Sequence, residues 1–145
     1  ASRDALFETG DLHKAISASA AMPAVFLPVN IDGRYYLDGS STNPCPLNVV
    51  QGRADHVLAI DVAGGPNGAP DVKPSKVDAM YAASQIMQKT IAGLMVQAYP
   101  DTVLLRPNVD AYRSLDFLQA AEILAATAPL REQAKHALGQ FQGLA

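Results

Sequence analysis

The run from Ser17 to Leu47 constrains the fold most. It opens with small residues (Ser17, Ala18, Ser19, Ala20 and Ala21) and breaks at Met22-Pro23. It then passes Phe26 and Pro28 and reads Ile31-Asp32-Gly33-Arg34-Tyr35-Tyr36-Leu37-Asp38-Gly39. The small residues suit the end of a closely packed helix. Asp32-Gly33 is a two-residue hairpin turn, so the partly extended run from Val25 to Ile31, interrupted by Pro28, and the return from Arg34 to Leu37 read as its arms. The second arm delivers one carboxylate, Asp38, into a loop opened by Gly39. Without a Cβ, that glycine permits a sharp turn or the close approach of another group. α/β proteins commonly build their sites where strands end.

The remaining pattern alternates strands with helices. Leu6, Phe7 and Thr9 read as the end of an extended segment. Asp11 caps a helix running to about Ala21, stopped by Met22-Pro23 because a residue before proline avoids helical geometry. Pro46 fits the first turn of a short helix through Gln51, ended by Gly52. Val57 to Val62 is a short apolar run of the kind found in buried parallel strands. Ala63 to Pro74, rich in Gly and Pro, is a loop and the best linker candidate. Ser75 caps the longest helix, Lys76 to Ala98, in which Val77, Met80, Met87, Ile91, Leu94 and Ala98 recur at three- and four-residue steps and predict the packed face. Thr102 to Leu105 is a second buried strand, and Leu115–Thr127 and Pro129–Phe141 are two final helices. This order predicts an α/β protein with a largely parallel sheet.

Composition bounds the function. The chain has 145 residues, 49% hydrophobic and 17% charged, which fits one globular domain. A net charge of −3 without a block of like charges argues against a nucleic-acid partner. No apolar run reaches the roughly 18 residues of a spanning helix. The start, Ala1-Ser2-Arg3-Asp4, carries neither an initiator Met nor a signal core, and the chain reads as a segment of something longer. The expected location is cytoplasmic or peripheral to a membrane. Cys45 is the single cysteine, either a nucleophile or a small filler in a packed loop. His13, His56 and His136 share no metal-ligand spacing, so no metal is predicted. Met80, Met87 and Met95 read as core, with an acyl-chain groove lined by Met87, Leu94 or Met95 as the alternative. Asp61 ends a strand, where it either caps a turn or binds a ribose or metal. Arg106 and Arg113 are solvated residues or contacts for an anionic head group.

The segment from Ala18 to Val29, followed by Asp32-Gly33-Arg34-Tyr35-Tyr36-Leu37-Asp38-Gly39 and then by Asn43, Pro44 and Pro46, resembles the C-terminal part of the patatin-like phospholipase family. Weaker similarity continues through Val57–Val62, the helix after Ser75 and Asp101–Pro107. The resemblance implies a three-layer α/β/α fold, with residues 1–145 as the C-terminal portion of a single patatin-like domain. It implies a lipid acyl hydrolase that cuts a lipid ester, such as that of a phospholipid, at a membrane surface without a cofactor. Catalysis in that family uses a Ser–Asp dyad, which makes Asp38 the general base. Gly39, Ser40 and Asn43 would support its loop. Ser40 stands where the family usually has Gly or Ala, and its hydroxyl is positioned to hydrogen-bond the Asp38 carboxylate.

The chain contains no G-x-S-x-G nucleophile turn. Gly64-Gly65-Pro66-Asn67-Gly68 does not replace the family's oxyanion loop, because it follows the aspartate and Pro66 has no N–H. Nucleophile and oxyanion donors are therefore expected in a segment before residue 1, and the lone chain is expected to be inactive. The competing reading is a non-catalytic α/β scaffold or a lipid- or nucleotide-binding module. Asp61 and the glycine-rich loop after it favour that reading. The lack of G-x-G-x-x-G and Walker sequences speaks against it.

Overall fold

The computed structural model describes residues 4–64, 71, 73–112 and 117–143. The chain divides into two compact units, Ala1–Pro44 and Cys45–Ala145.

The first unit holds α1 (Leu12–Ser19), β1 (Val29–Ile31) and β2 (Arg34–Tyr36). Asp11 starts α1: its carboxylate accepts the N–H groups of His13 (2.9 Å) and Lys14 (3.2 Å), two donors that a first helical turn leaves without partners. The helix ends at Ser19, two residues short of the expected Ala21. Beyond it the chain turns back on itself, with Val25 and Phe26 donating to the Met22 carbonyl and Ala24 at φ 67°. β1 and β2 pair antiparallel, Val29 opposite Tyr36 and Ile31 opposite Arg34. Between them Asp32 and Gly33 have φ of 50° and 80°, the two positive values of the turn that matches strand twist. The Asn30 side chain accepts the Gly33 N–H at 3.1 Å and fixes that turn. Leu6, Phe7 and Thr9 do not form a strand. Phe7 instead sets its ring edge-on to Tyr36, with centroids 5.1 Å apart.

The second unit contains α2 (Leu47–Val50), β3 (Leu58–Ile60), α3 (Lys76–Ala98), β4 (Val103–Leu105), α4 (Ala120–Thr127) and α5 (Leu130–Phe141). Pro46 is the cap residue of α2 and not its first helical residue, with ψ of 55°. β3 and β4 pair in parallel, Leu58 beside Val103 and Ile60 beside Leu105, with α3 as the crossover that parallel neighbours require. α3 keeps its expected bounds. Ser75 and Asp78 form a reciprocal capping box in which each side chain accepts the other residue's N–H. Among the described residues the parallel sheet has these two strands, and β1–β2 is a separate hairpin. Of the Ala63–Pro74 loop, residues 65–70 and 72 lie outside the described residues, as do Arg113 and the expected start of the fourth helix at Leu115. A 3-10 turn at Phe117–Gln119 leads into α4.

The core of the second unit gathers Cys45, Leu47, Ala59 and Ala92, with Val57, Val96, Tyr99 and Leu104 packed against them. α3 presents Ala92 and Val96 there, and its C-cap residue Tyr99 packs beside them. The expected stripe is largely outside that cluster: Val77, Met80, Met87 and Leu94 are exposed, and Met95 is half-buried. Bulk decided the expectation, whereas close approach decided the packing. The small side chain of Ala92 joins Cys45, Leu47 and Ala59 in that cluster, and apolar residues elsewhere on α3 stay uncovered. Five of the eight buried hydrophobic residues among the described residues are alanines. Each contributes less than the roughly 1.5–3 kcal/mol of a fully buried Leu, Val or Phe, so the core is shallow.

Candidate active site

Asp38 follows β2 by two residues. Its backbone is tied to the end of the helical region, donating its N–H to the Ala21 carbonyl at 3.0 Å. Ala18 and Ala21 are buried there. The small residues that open the motif thus give the strand end a close seat beside α1. Asp38 then caps a 3-10 turn over Gly39–Ser41. Its Oδ1 accepts the Ser40 N–H at 2.8 Å, and its carbonyl accepts from Ser41 at 3.1 Å.

Ser40 was expected to reach the carboxylate through its hydroxyl. The donor is its backbone N–H instead, because a capping side chain folds onto the amide two residues on. Asp38 is half-buried, and its other carboxylate oxygen has no hydrogen-bond partner among the described residues. One oxygen is held and one is offered. A carboxylate in this arrangement can accept a proton from an alcohol brought within about 2.6–3.2 Å.

Gly39 is exposed, and a Cβ built on it would meet nothing within 4 Å. Nothing among the described residues therefore demands a glycine at this position. Asn43 closes the turn through its backbone, donating to the Gly39 carbonyl at 2.9 Å. Its side-chain amide donates to Asp4 Oδ2 at 3.0 Å and not to Asp38.

The other singled-out residues sit elsewhere in the chain. Cys45 is buried in the core cluster. Burial pushes its thiol pKa up, the Asp61 carboxylate pushes the same way, and the Arg106 guanidinium opposes. A buried, protonated thiol is a filler and not a nucleophile. Asp61 is buried at the end of β3. Its Oδ1 accepts the Ala63 N–H and its Oδ2 the Arg106 Nε–H, both at 3.1 Å, so it caps a turn and pairs with a cation. His13 and His136 are exposed, and His56 stacks on Phe141 with centroids 4.5 Å apart. No group of three or more His, Cys, Asp or Glu among the described residues is placed to hold a metal. No helix among them is long and apolar enough to cross a membrane. Sequence reasoning missed the Asp61–Arg106 pair: the two residues are 45 positions apart, and only the parallel register brings them together.

The parallel β3–α3–β4 unit makes this an α/β protein. Residues 2–50, which include the whole Asp38 loop, match the family model Patatin-like phospholipase. An uncharacterized NTE family protein of Mycobacterium bovis, and counterparts in two strains of Mycobacterium tuberculosis, are 36% identical over 77 residues. That match takes in 52% of this chain and 21% of each relative, so the chain corresponds to about a fifth of their length. The chain is similar to patatin-like phospholipases over its N-terminal third.

Proposed function

We propose that this chain supplies the general base of a lipid acyl hydrolase, with Asp38 as the aspartate of a Ser–Asp dyad. The observation that carries the reading is the Asp38 carboxylate, with Oδ1 held by the Ser40 N–H and the second oxygen available. Its place inside the matched residues 2–50 supports it further. In this reading a serine from a segment outside these 145 residues approaches Asp38. As its Oγ attacks the ester carbonyl, the hydroxyl proton passes to Asp38. The proton then goes to the departing alcohol, leaving an acyl-enzyme that water cleaves by the same steps. N–H groups of the outside segment stabilise the oxyanion. Gly39 keeps the approach to Asp38 free of a side chain, and the Gly39–Ser41 turn with Asn43 holds the loop. The substrate is a lipid ester met at a membrane surface, within a three-layer α/β/α domain that the outside segment completes.

The scaffold or nucleotide-binding alternative leaned on Asp61, whose two oxygens are both engaged by the chain itself. The test is hydrolysis of a short-chain ester and of a phospholipid by this chain alone and joined to a segment bearing G-x-S-x-G. Turnover and labelling by a fluorophosphonate are expected only in the joined protein, with turnover lost in Asp38→Asn. Turnover by the lone chain, or full activity of the Asp38→Asn protein, overturns the reading.

A further inference from the structure

The carboxyl ends of β3 and β4 lie side by side, and the ladder continues one step beyond them, with the Asp61 N–H donating to the Leu105 carbonyl at 3.0 Å. The next residue after β4 is Arg106. A carboxylate as buried as that of Asp61 needs donors at both oxygens, and the Ala63 N–H and the Arg106 Nε–H supply one to each. Any cation could serve as a counter-charge. The contact through Nε does something more specific: it holds the guanidinium by its inner edge. The two terminal amino groups then form the outer edge. The Arg106 side chain is 54% exposed against 7% for Asp61, and its terminal nitrogens have no other partner among the described residues. Ligands of open parallel sheets bind beyond these strand ends.

We infer that Arg106, held by Asp61, is a phosphate-binding residue at the carboxyl end of the β3–β4 pair. Its outer edge presents two parallel N–H donors at the spacing of two oxygens of one phosphate group. The Asp61–Arg106 pair is neutral overall. Recognition therefore rests on directed hydrogen bonds more than on net charge, and affinity is modest. Asp61 is a positioning residue and does not touch the ligand. The inference stands apart from Asp38 and from hydrolysis. The phosphate can come from a free ion or from a lipid head group.

The experiment follows the Arg106 Nε–H signal by NMR in the 145-residue chain labelled with 15N at arginine. Inorganic phosphate is titrated at constant ionic strength against chloride. Glycerol 3-phosphate and vesicles of phosphatidylcholine with and without phosphatidic acid are parallel arms. A saturable shift with phosphate and none with chloride is expected, with a midpoint in the millimolar range. Saturation by the soluble phosphates alone identifies a free-ion site, and tighter apparent binding to phosphatidic acid vesicles identifies a head-group site. R106K keeps the charge but loses the fork, and binding should fall at least tenfold. D61N removes a negative charge, so a site that works by charge alone would bind phosphate more tightly, whereas an oriented fork binds several-fold more weakly. A linear drift without saturation, R106K binding as well as the parent, or D61N binding more tightly overturns the inference. So does lowered stability of both variants with no phosphate effect in the parent, which would leave the pair a structural clamp.

Discussion

Asp38 and Asp61 are the same residue in the same local setting. Each follows the end of a strand, and each turns one carboxylate oxygen onto the backbone N–H two residues on, at 2.8 Å for Asp38 and 3.1 Å for Asp61. They part at the second oxygen. Asp61 is buried and gives it to Arg106. Asp38 is half-buried, and its second oxygen meets no donor among the described residues. A carboxylate with both oxygens engaged from within is a structural part. One that keeps a lone pair available retains chemistry. Strand end and short-range cap are common to both, so the distinction lies in what the fold brings up from a distance.

The strongest way to break this comparison is to substitute both positions. Asp38→Asn keeps the capping oxygen, because Asn caps as well as Asp, but removes the proposed base. In the protein completed by a nucleophile segment, hydrolysis should fall about 10²–10⁴-fold while the urea midpoint of the lone chain barely moves. Asp61→Ala should do the reverse for stability. It orphans the Ala63 N–H and frees an Arg106 that is half in water, so a loss of about 1–3 kcal/mol is expected in urea unfolding, at the lower end because solvent screens the arginine. Equal stability losses at the two sites would erase the distinction.

A finer test uses pH. The Cys45 thiol is raised above its ordinary value of 9.0, chiefly by burial and next by Asp61. A raised folded pKa means that the folded state holds its proton where the unfolded chain has begun to lose it. The contribution is fully present below about pH 9 and is lost as pH rises through the folded value. Urea midpoints should therefore decline above pH 9 in the parent chain and decline less steeply in Cys45→Ala, once its lower baseline is subtracted. The smallest expected effect is at Gly39. With open space at its Cβ position, Gly39→Ala should leave the stability of this chain within about 0.5 kcal/mol. A large loss of hydrolysis in the completed protein, with stability intact, would show that a group from outside comes close to this position.

Local signals read well. Asp32-Gly33 predicts the hairpin, and the structure places both residues at positive φ. Asp11 and Ser75 predict two helix starts, and both side chains cap as expected. These are effects of neighbours within four residues, which a sequence displays directly. The packed face of α3 did not read, because its residues are apolar on several sides and hydrophobicity alone cannot say which side a partner meets. Ala92 was passed over for Met80 and Met87, although small size is what close packing needed. The Ser40 contact was read half correctly, the residue but not the donor atom.

By itself the sequence determined the turns and the caps, which depend on side chains bonding to their own nearby backbone, and the strand segments, which show as short apolar runs. Only the tertiary structure decided that Asp61 meets Arg106, that Cys45 is sealed in a core, and that Asp38 keeps an oxygen available. Those outcomes depend on which distant groups a fold excludes from water together, and no window of adjacent residues encodes that distance.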